Sequence, residues 1–214
     1  MGSSEGVAMT PGLVVAVIGG IGCGKSAACS YFAEQGYPVI DTDQVAKQLM
    51  QPGQPGLKAL VADYGHRFLT QQGELDRPKL AAAFFSDQKL KHDIEQMIHP
   101  LVRQQVGAQV SALKTQHKLI FVAIPVISQV IQPAYQIDHV LLIECDPALQ
   151  RQRVATRDQR AIEQIERIIV QQADPATRQA LADSIIENNS SVAALHQTLQ
   201  AWLESVTKPG ATNH

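Results

Sequence analysis

Residues Gly19–Ser26 read GGIGCGKS and match G-x-x-x-x-G-K-[ST], the pattern of a phosphate-binding loop. Its neighbours fit as well. Leu13–Ile18 (LVVAVI) is an apolar, β-branched run typical of a buried strand, and residues 27–33 read as a helix that stops near Gly36. Strand, glycine loop and helix in this order predict that backbone N–H groups and the positive helix end face an anion. A glycine-rich turn that ends in Lys-Ser by chance would lack these neighbours, so we predict a nucleoside triphosphate site.

The pattern assigns roles within the loop. The ammonium group of Lys25 reaches the β- and γ-phosphates, and the hydroxyl of Ser26 binds Mg²⁺. We therefore expect a nucleoside triphosphate together with Mg²⁺. The predicted nucleotide-binding residues are Gly20, Ile21, Gly22, Cys23, Gly24, Lys25, Ser26 and Ala27.

Composition narrows the class of protein. The chain has 214 residues, of which 18 are basic and 20 acidic, and its net charge is −2. It therefore has no overall positive charge that would attract nucleic acid or a membrane surface. Its three cysteines lack metal-ligand spacing, which favours free thiols in a reducing cytosol. No apolar run reaches the roughly 18 residues that a bilayer requires. We expect a cytoplasmic enzyme with a small-molecule substrate, no nucleic-acid or membrane partner, and a monomeric or weakly homo-oligomeric state.

The rest of the chain alternates short strands with helices. Further strands are predicted at 38–41, 119–124, 139–145 and 184–187. This order predicts an α/β fold of the P-loop NTPase type: a three-layer sandwich around a mostly parallel five-stranded sheet, with a helical substrate-binding insertion and a helical lid.

The insertion is the segment that contains no strand pattern. Helical patterns occupy 57–64, 77–86 and 87–115, and Pro100 should kink or break the last of them. The expected domain layout is a disordered lead-in at 1–12, a nucleotide-binding core at 13–44, 116–150 and 182–206, the insertion at 45–115, a lid at 151–181 and a flexible tail at 207–214.

Two aspartates follow the second strand, in Asp41-Thr42-Asp43. Ligands of parallel α/β sheets bind beyond the carboxyl ends of the strands, so these carboxylates should share a face with the loop. A carboxylate there can accept a proton from an acceptor hydroxyl or hold Mg²⁺ through water. Asp43 is the candidate for both roles; the alternative is that it only caps the next helix, and both can hold.

Two arginines follow the fourth strand. Arg153 and Arg157 are four residues apart and therefore lie on one helix face. Phosphoryl transfer depends on positioning and on charge stabilisation, which guanidinium groups supply. The alternative is a solvated basic face. The predicted catalytic residues are Asp43, Lys25, Arg153 and Arg157.

Other nucleotide-using classes lack support. An Asn-Lys-x-Asp guanine reader, typical of GTPases, is absent. The third predicted strand runs into Pro125 rather than the acidic residue of a motor-type ATPase, and Asp146-Pro147 reads as a helix N-cap with proline at the first position.

Taken together, the motifs resemble the dephospho-coenzyme A kinase family from about Leu13 to Asn189. The matching segments are GGIGCGKS, VIDTDQVAKQL with QPGQPG, GELDR (73–77), IHPLVRQQV (98–106), RVATRD (153–158) and QQADPATRQALADSIIEN (171–188). The resemblance implies transfer of the ATP γ-phosphate to the 3′-hydroxyl of dephospho-CoA, which gives CoA and ADP in the last step of CoA synthesis. It also implies a nucleotide-binding core, a helical CoA-binding insertion and a lid.

The chain departs from the family pattern at a few places. Ile18 and Cys23 replace the usual Thr and Ser of the loop, Gln129 stands where an acid is common, and Ala161-Ile162 replaces a Thr-Arg pair in the lid. Two other functions stay open: another small-molecule kinase of the nucleoside-phosphate or shikimate type, and a regulatory nucleotide-binding protein with weakened catalysis.

Cys23 lies between Gly22 and Gly24, near the start of the first helix. The helix dipole and Lys25 favour a thiolate there, so we predict a lowered pKa and the highest reactivity of the three thiols. The alternative is that cysteine is only a small replacement for serine.

Overall fold

The chain forms two units in the computed structural model, which describes residues 12–125, 133–159 and 161–207. Within these residues, the first unit comprises 12–39, 112–125, 137–159 and 161–207, and the second comprises 40–111 and 133–136. The expected lead-in before Gly12, the tail after Thr207 and Gln129 lie outside the described residues.

A five-stranded parallel sheet runs through the chain. Its strands are β1 Leu13–Gly19, β2 Val39–Asp41, β3 Leu119–Ala123, β4 His139–Glu144 and β5 Ser184–Glu187, in the order β2-β3-β1-β4-β5. Of these strands only β2 extends beyond the first unit, because Ile40 and Asp41 belong to the second. β1 pairs in parallel with β3 and with β4, so that Val15 lies opposite Phe121 on one side and His139 on the other. β4 pairs in parallel with β5. The α/β fold with a five-stranded parallel sheet is confirmed.

Helices connect the strands. They are α1 Lys25–Glu34, α2 Thr42–Leu49, α3 Pro55–Tyr64, α4 Arg77–Ser86, α5 Gln88–Lys114, α6 Pro147–Asp158, α7 Ile162–Val170, α8 Pro175–Ala180 and α9 Val192–Thr207. Short 3₁₀ turns occupy Gly65–Phe68 and Pro133–Tyr135. None of the helices in the described ranges is long and apolar enough to cross a bilayer.

The apolar run of β1 is buried on both faces of the sheet. Val15 and Val17 point into one cluster with side chains of α1 and α9, while Ala16 and Ile18 point into a second cluster on the opposite face. Successive strand residues alternate between faces, so an unbroken apolar run is what a sheet covered on both sides requires. This burial fixes β1 in the centre and sets the phosphate loop at its carboxyl end.

The second unit has its own core. Its buried side chains come from α3 to α5, from the first 3₁₀ turn and from the residue that follows α2; they are Met50, Leu57, Leu60, Phe68, Leu80, Leu90 and Ile94. One antiparallel bridge, Leu69 to Leu75, precedes α4, and the side chain of Asp76 caps that helix by accepting from the Lys79 amide.

Pro100 does not break the predicted helix, because α5 runs through it from Gln88 to Lys114. Proline removes one amide donor and crowds the preceding turn. Burial on both sides of the proline accounts for the continuity: Ile94 precedes it and Val102, Val106 and Val110 follow it, all within 7% of complete burial.

The stacked aromatic pair in the first unit provides a test of this core. Phe121 is fully buried and its ring stacks on Phe32 at 3.8 Å between centroids. We expect Phe121→Ala to lower the free energy of unfolding by about 3–5 kcal/mol, because the cavity cannot close fully. The readout is urea denaturation followed by the fluorescence of Trp202, whose ring centroid lies 6.2 Å from that of Phe121.

The matched control is Phe85→Ala, since the Phe85 side chain is 90% exposed. This change should leave the Trp202 transition within about 0.5 kcal/mol of wild type. Equal losses for the two variants would contradict the assigned core.

Candidate nucleotide site

The loop between β1 and α1 has the backbone that phosphate binding requires. Gly22 and Gly24 adopt positive φ angles of 77° and 105°, a region that residues with a Cβ rarely enter. The Cys23 amide donates to the Gly20 carbonyl at 3.1 Å, which closes the turn. Lys25 begins α1 and Ser26 is exposed beside it. The predicted order of strand, glycine loop and helix is therefore present.

Helix α6 packs closely against this loop. A Cβ at Gly22 would lie 2.7 Å from Val154 Cγ2 and 3.0 Å from the Gln150 carbonyl oxygen. Both distances are below ordinary van der Waals contact, so Gly22 is required for the approach of α6 as well as for its φ angle. The second glycine, Gly24, meets the Asn188 side-chain amide in the same way.

Two side chains from distant parts of the sequence hold the loop backbone. Asn188, just beyond β5, donates from Nδ2 to the Cys23 carbonyl oxygen at 2.9 Å in a buried contact. Gln172, between α7 and α8, accepts the Ile21 amide at Oε1 over 3.0 Å. These bonds bridge 165 and 151 residues of sequence, so the loop conformation depends on the assembled first unit.

A buried ion pair lies next to the loop. Glu144 ends β4, and its carboxylate accepts from Arg178 Nη2 at 2.9 and 3.0 Å; Arg178 Nη1 also donates to the Ala173 carbonyl at 2.6 Å. The Arg178 and Glu144 side chains are 6% and 13% exposed. Removing one partner of such a pair leaves a buried charge without compensation and is strongly destabilising.

Gln150 is a buried side chain whose donor has no partner, as is also true of Trp202 Nε1 within the described residues. It is 5% exposed, and its Nε2 has no hydrogen-bond partner within the described residues. That nitrogen would lie 2.9 Å from a Cβ at Gly20, so it points at the start of the loop.

The prediction that the pKa of Cys23 is lowered is wrong. The side chain is 1% exposed, and its Sγ lies 2.7 Å from Cys145 Sγ and 3.9 Å from Glu144 Oε1. The contact with Cys145 and burial raise the pKa of Cys23 far above its ordinary value, whereas the contact with Cys23 lowers the pKa of Cys145. The sequence places Cys23 at a helix N-terminus but does not reveal that its side chain is buried beside a carboxylate.

The predicted arginines both lie on α6. Arg153 donates from Nη1 to the Asn188 carbonyl at 2.8 Å and from Nη2 to the Ser190 carbonyl at 3.1 Å, so it holds the chain after β5. Arg157 pairs with its neighbour Asp158 at 2.7 Å, a contact that raises the pKa of Arg157. Their catalytic roles stay predictions.

The predicted aspartates lie at the start of α2. Asp41 is the helix cap, because its Oδ1 accepts the amides of Asp43 and Gln44 at 2.9 and 3.3 Å. The reading of Asp43 as the N-cap is therefore wrong, and Asp43 is an exposed residue of the first turn. Asp43 belongs to the second unit, and its role in proton transfer stays a prediction.

Several residues around the loop were not singled out from the sequence as parts of the site: Glu144, Gln150, Gln172, Arg178 and Asn188. Glu144 is the last residue of β4 and Asn188 directly follows β5, at the edge where the general rule for parallel sheets places ligand-site residues. Gln172 and Arg178 lie in the segment 171–188 that resembles the family, but the sequence gives no sign of their contacts with the loop and with Glu144, and nothing in it distinguishes Gln150.

The second unit contains a cavity of about 300 Å³, lined by Val45, Gln48, Leu49, Gln51, Gln54 and Gln105. Glutamine side chains carry both donors and acceptors of hydrogen bonds, and that of Gln51 already donates to the Lys47 carbonyl at 3.3 Å.

The parallel sheet and the braced glycine loop define a P-loop kinase fold. The family model described as dephospho-CoA kinase matches residues 13–194. A dephospho-CoA kinase of Hydrogenovibrio crunogenus is 37% identical over 193 residues, which cover 90% of this chain and 97% of the relative. The chain belongs to the dephospho-CoA kinase family.

Solved structures have the same architecture. TT1252 from Thermus thermophilus has a TM-score of 0.74 at 26% identity, over 93% of this chain and all of that one. The dephospho-CoA kinase from Campylobacter jejuni has a TM-score of 0.70 over 91% of this chain and 96% of its own, and at 23% identity it supports the fold alone.

The close approach of α6 to the loop can be tested at Gly22. We expect Gly22→Ala to weaken binding of Mg·ATP by about tenfold or more, because the new Cβ displaces either the loop or Val154, and small misplacements of a site are costly. Isothermal titration calorimetry with a non-hydrolysable ATP analogue gives the dissociation constant.

Gly53→Ala is the matched control, since Gly53 has a φ of 80° but nothing within 4 Å of a Cβ. It carries the same backbone strain without the clash and should bind the analogue as wild type does. If Gly22→Ala also binds normally, the contact between α6 and the loop has no role in nucleotide binding.

The buried ion pair generates a second test. Arg178→Met should lower the free energy of unfolding by about 3–5 kcal/mol, because the Glu144 carboxylate is left buried without its partner. Adding Glu144→Leu should restore most of this loss in urea denaturation. The control Lys89→Met removes the exposed pair with Asp93 and should leave stability nearly unchanged. A double variant that is no more stable than Arg178→Met would contradict the assignment.

Proposed function

We propose that this protein transfers the γ-phosphate of ATP to the 3′-hydroxyl of dephospho-CoA, yielding CoA and ADP. The braced loop between β1 and α1 carries the proposal, in a chain whose family match spans residues 13–194. The positive φ angles of Gly22 and Gly24 turn the loop so that amides at the start of α1 can point at phosphate oxygens.

Lys25 and the two α6 arginines are the proposed cationic groups. Among the described residues, the Lys25 side chain makes no hydrogen bond or ion pair, so its ammonium is available to the β- and γ-phosphates. Arg153 and Arg157 are proposed to stabilise the charge that develops on the transferred group. Because Arg153 also holds the carbonyls of Asn188 and Ser190, it would link nucleotide binding to the chain after β5.

The residues present fit Mg²⁺ that arrives with the nucleotide. The Ser26 hydroxyl is exposed in the first turn of α1, and no cluster of three or more His, Cys, Asp or Glu residues within the described ranges could hold a metal by itself. Mg²⁺ commonly keeps waters and phosphate oxygens as ligands with one or two protein oxygens. We propose Ser26 as one such ligand and Asp43 as a second through water; when bound, the ion would neutralise phosphate charge.

Asp43 is the proposed general base. Since Asp41 serves as the cap of α2, the exposed carboxylate of Asp43 is not required to end the helix. We propose that it accepts the proton of the acceptor hydroxyl as the phosphoryl group transfers. The second unit is proposed to bind the acceptor, and its glutamine-lined cavity suits the amide groups of the acceptor's extended arm.

The experiment is an ADP-release assay with a panel of acceptors: dephospho-CoA, shikimate and nucleoside monophosphates. Of these acceptors, we expect only dephospho-CoA to be phosphorylated, and we expect Lys25→Met to lose this turnover. The ³¹P NMR spectrum of the product should place the new phosphate at the 3′ position. Turnover on shikimate or a nucleotide instead, or none on any acceptor, would reject the proposal.

Asp43→Asn should lower kcat by roughly 10²–10⁴ while the dissociation constant of Mg·ATP changes little. Asp63→Asn is the matched control, because Asp63 is an exposed aspartate on α3 of the same unit. Near-normal kcat in Asp43→Asn would exclude it as the base.

Arg153→Ala and Arg157→Ala should each reduce kcat more than they raise KM for ATP, and lysine should rescue poorly because it lacks the planar guanidinium. Arg151→Ala is the control on the same helix, where Arg151 pairs with Glu166. If all three alanine variants have wild-type kinetics, the basic face of α6 is only solvated.

A further inference from the structure

Two thiols from separate parts of the sequence meet next to the phosphate loop. Cys23 belongs to the loop after β1, and Cys145 directly follows β4, which pairs with β1 up to Gly19 and Ile143. The two Sγ atoms are 2.7 Å apart, and neither cysteine is in a disulfide. The contact is shorter than the usual separation of two unbonded sulfur atoms, so the two side chains are placed to form a covalent bond.

We propose that Cys23 and Cys145 form a dithiol site that reacts with a small-molecule disulfide and closes into a Cys23–Cys145 disulfide. No step in phosphoryl transfer uses either sulfur. The effect of closure on nucleotide binding rests on the proposed function, whereas the formation of the bond does not.

Exposure sets the order of the two steps. Cys145 is partly buried, while Cys23 is 1% exposed, so the external disulfide meets Cys145 first. The contact with Cys23 and the charge of Arg153 lower the pKa of Cys145, which favours the attacking thiolate. Cys145 bonds to one sulfur of the small disulfide and expels the other as a thiolate.

The second step closes the bond within the protein. Once Cys145 is bound in the mixed disulfide, the thiol contact that contributes most to the raised pKa of Cys23 is gone. Cys23 then gives its proton to the expelled thiolate, attacks the Cys145 sulfur and displaces the remaining half of the small disulfide as a second thiolate, which takes up the proton that Cys145 released when it ionised. In total, two protein thiols are oxidised to one disulfide and one small disulfide is reduced to two thiols, so electrons and protons balance.

Closure should distort the phosphate loop. A disulfide requires a sulfur separation of about 2.0 Å, shorter than the present contact. The Cys23 backbone is held on both sides, since its amide donates to the Gly20 carbonyl and its carbonyl accepts from Asn188. The displacement therefore falls on Gly22 and Gly24, whose amides belong to the phosphate cradle. We expect the affinity for Mg·ATP to fall by about tenfold or more.

The experiment incubates the full-length protein with glutathione disulfide under native conditions. Intact mass spectrometry should record the loss of two hydrogens without a glutathione adduct, and a digest should contain a Cys23–Cys145 linked peptide that dithiothreitol reverses. The matched control Cys29→Ser keeps the thiols of Cys23 and Cys145 and should behave as wild type. Cys145→Ser and, independently, Cys23→Ser should form no internal disulfide.

Nucleotide affinity is measured on the same samples by calorimetry. Oxidised wild type and oxidised Cys29→Ser should lose affinity, while Cys145→Ser treated in the same way should retain it. Because the coupling is reciprocal, Mg·ATP should in turn favour the reduced protein. At saturating Mg·ATP, a higher ratio of glutathione disulfide to glutathione should therefore be needed to oxidise half of the protein.

A stable glutathione adduct on Cys145 without the internal bond, or oxidation confined to Cys29, would overturn the site. A disulfide that leaves the affinity for Mg·ATP unchanged would overturn its effect on the loop. A fully reduced protein that turns over no dephospho-CoA would contradict the proposed function instead, and the mass result would still decide the disulfide.

Discussion

The site depends on how closely other elements approach the backbone of the phosphate loop. Gly22 has no side chain, so Val154 and the Gln150 carbonyl of α6 can lie against it, and Gly24 likewise leaves room for Asn188. Glycine loses more conformational entropy on folding than any other residue, because it is the most flexible residue in the unfolded chain. Here the neighbouring elements fix the loop before any nucleotide binds. Less binding free energy is then lost in ordering the loop when the nucleotide binds.

The contacts that fix the loop come from the carboxyl edge of the sheet and the helices that follow it. Asn188 beyond β5 and Gln172 before α8 each bind one loop backbone group. Arg178 of α8 in turn binds Glu144 at the end of β4, so a buried charge pair joins the helix to the strand beside the loop. The nucleotide site is therefore continuous with the core of the first unit, and its geometry should be lost when that core unfolds.

Local patterns in the sequence predicted most of the fold. The apolar runs gave β1 and β3 to within one residue, and β5 without error, because buried parallel strands leave a strong compositional signal. Pro100 shows the limit of a local rule: burial of the apolar residues around it outweighs one lost hydrogen bond.

The strand, glycine loop and helix could be predicted because the spacing of these residues is a strong pattern, but the side chains that hold the loop could not. Gln172 and Arg178 act across more than 30 residues of sequence, and Cys23 owes its raised pKa to a neighbour 122 residues away. Such pairings arise from the topology of the fold, and a single sequence does not show which distant residues come into contact.

The most direct test of a preformed loop is amide hydrogen exchange measured by NMR in the absence of nucleotide. The Ile21 and Cys23 amides, which donate to Gln172 and to the Gly20 carbonyl, should already be protected in the free protein. Addition of a non-hydrolysable Mg·ATP analogue should then add protection mainly at Gly24, Lys25 and Ser26. Exchange of Ile21 and Cys23 at unfolded rates until the analogue is added would contradict the account.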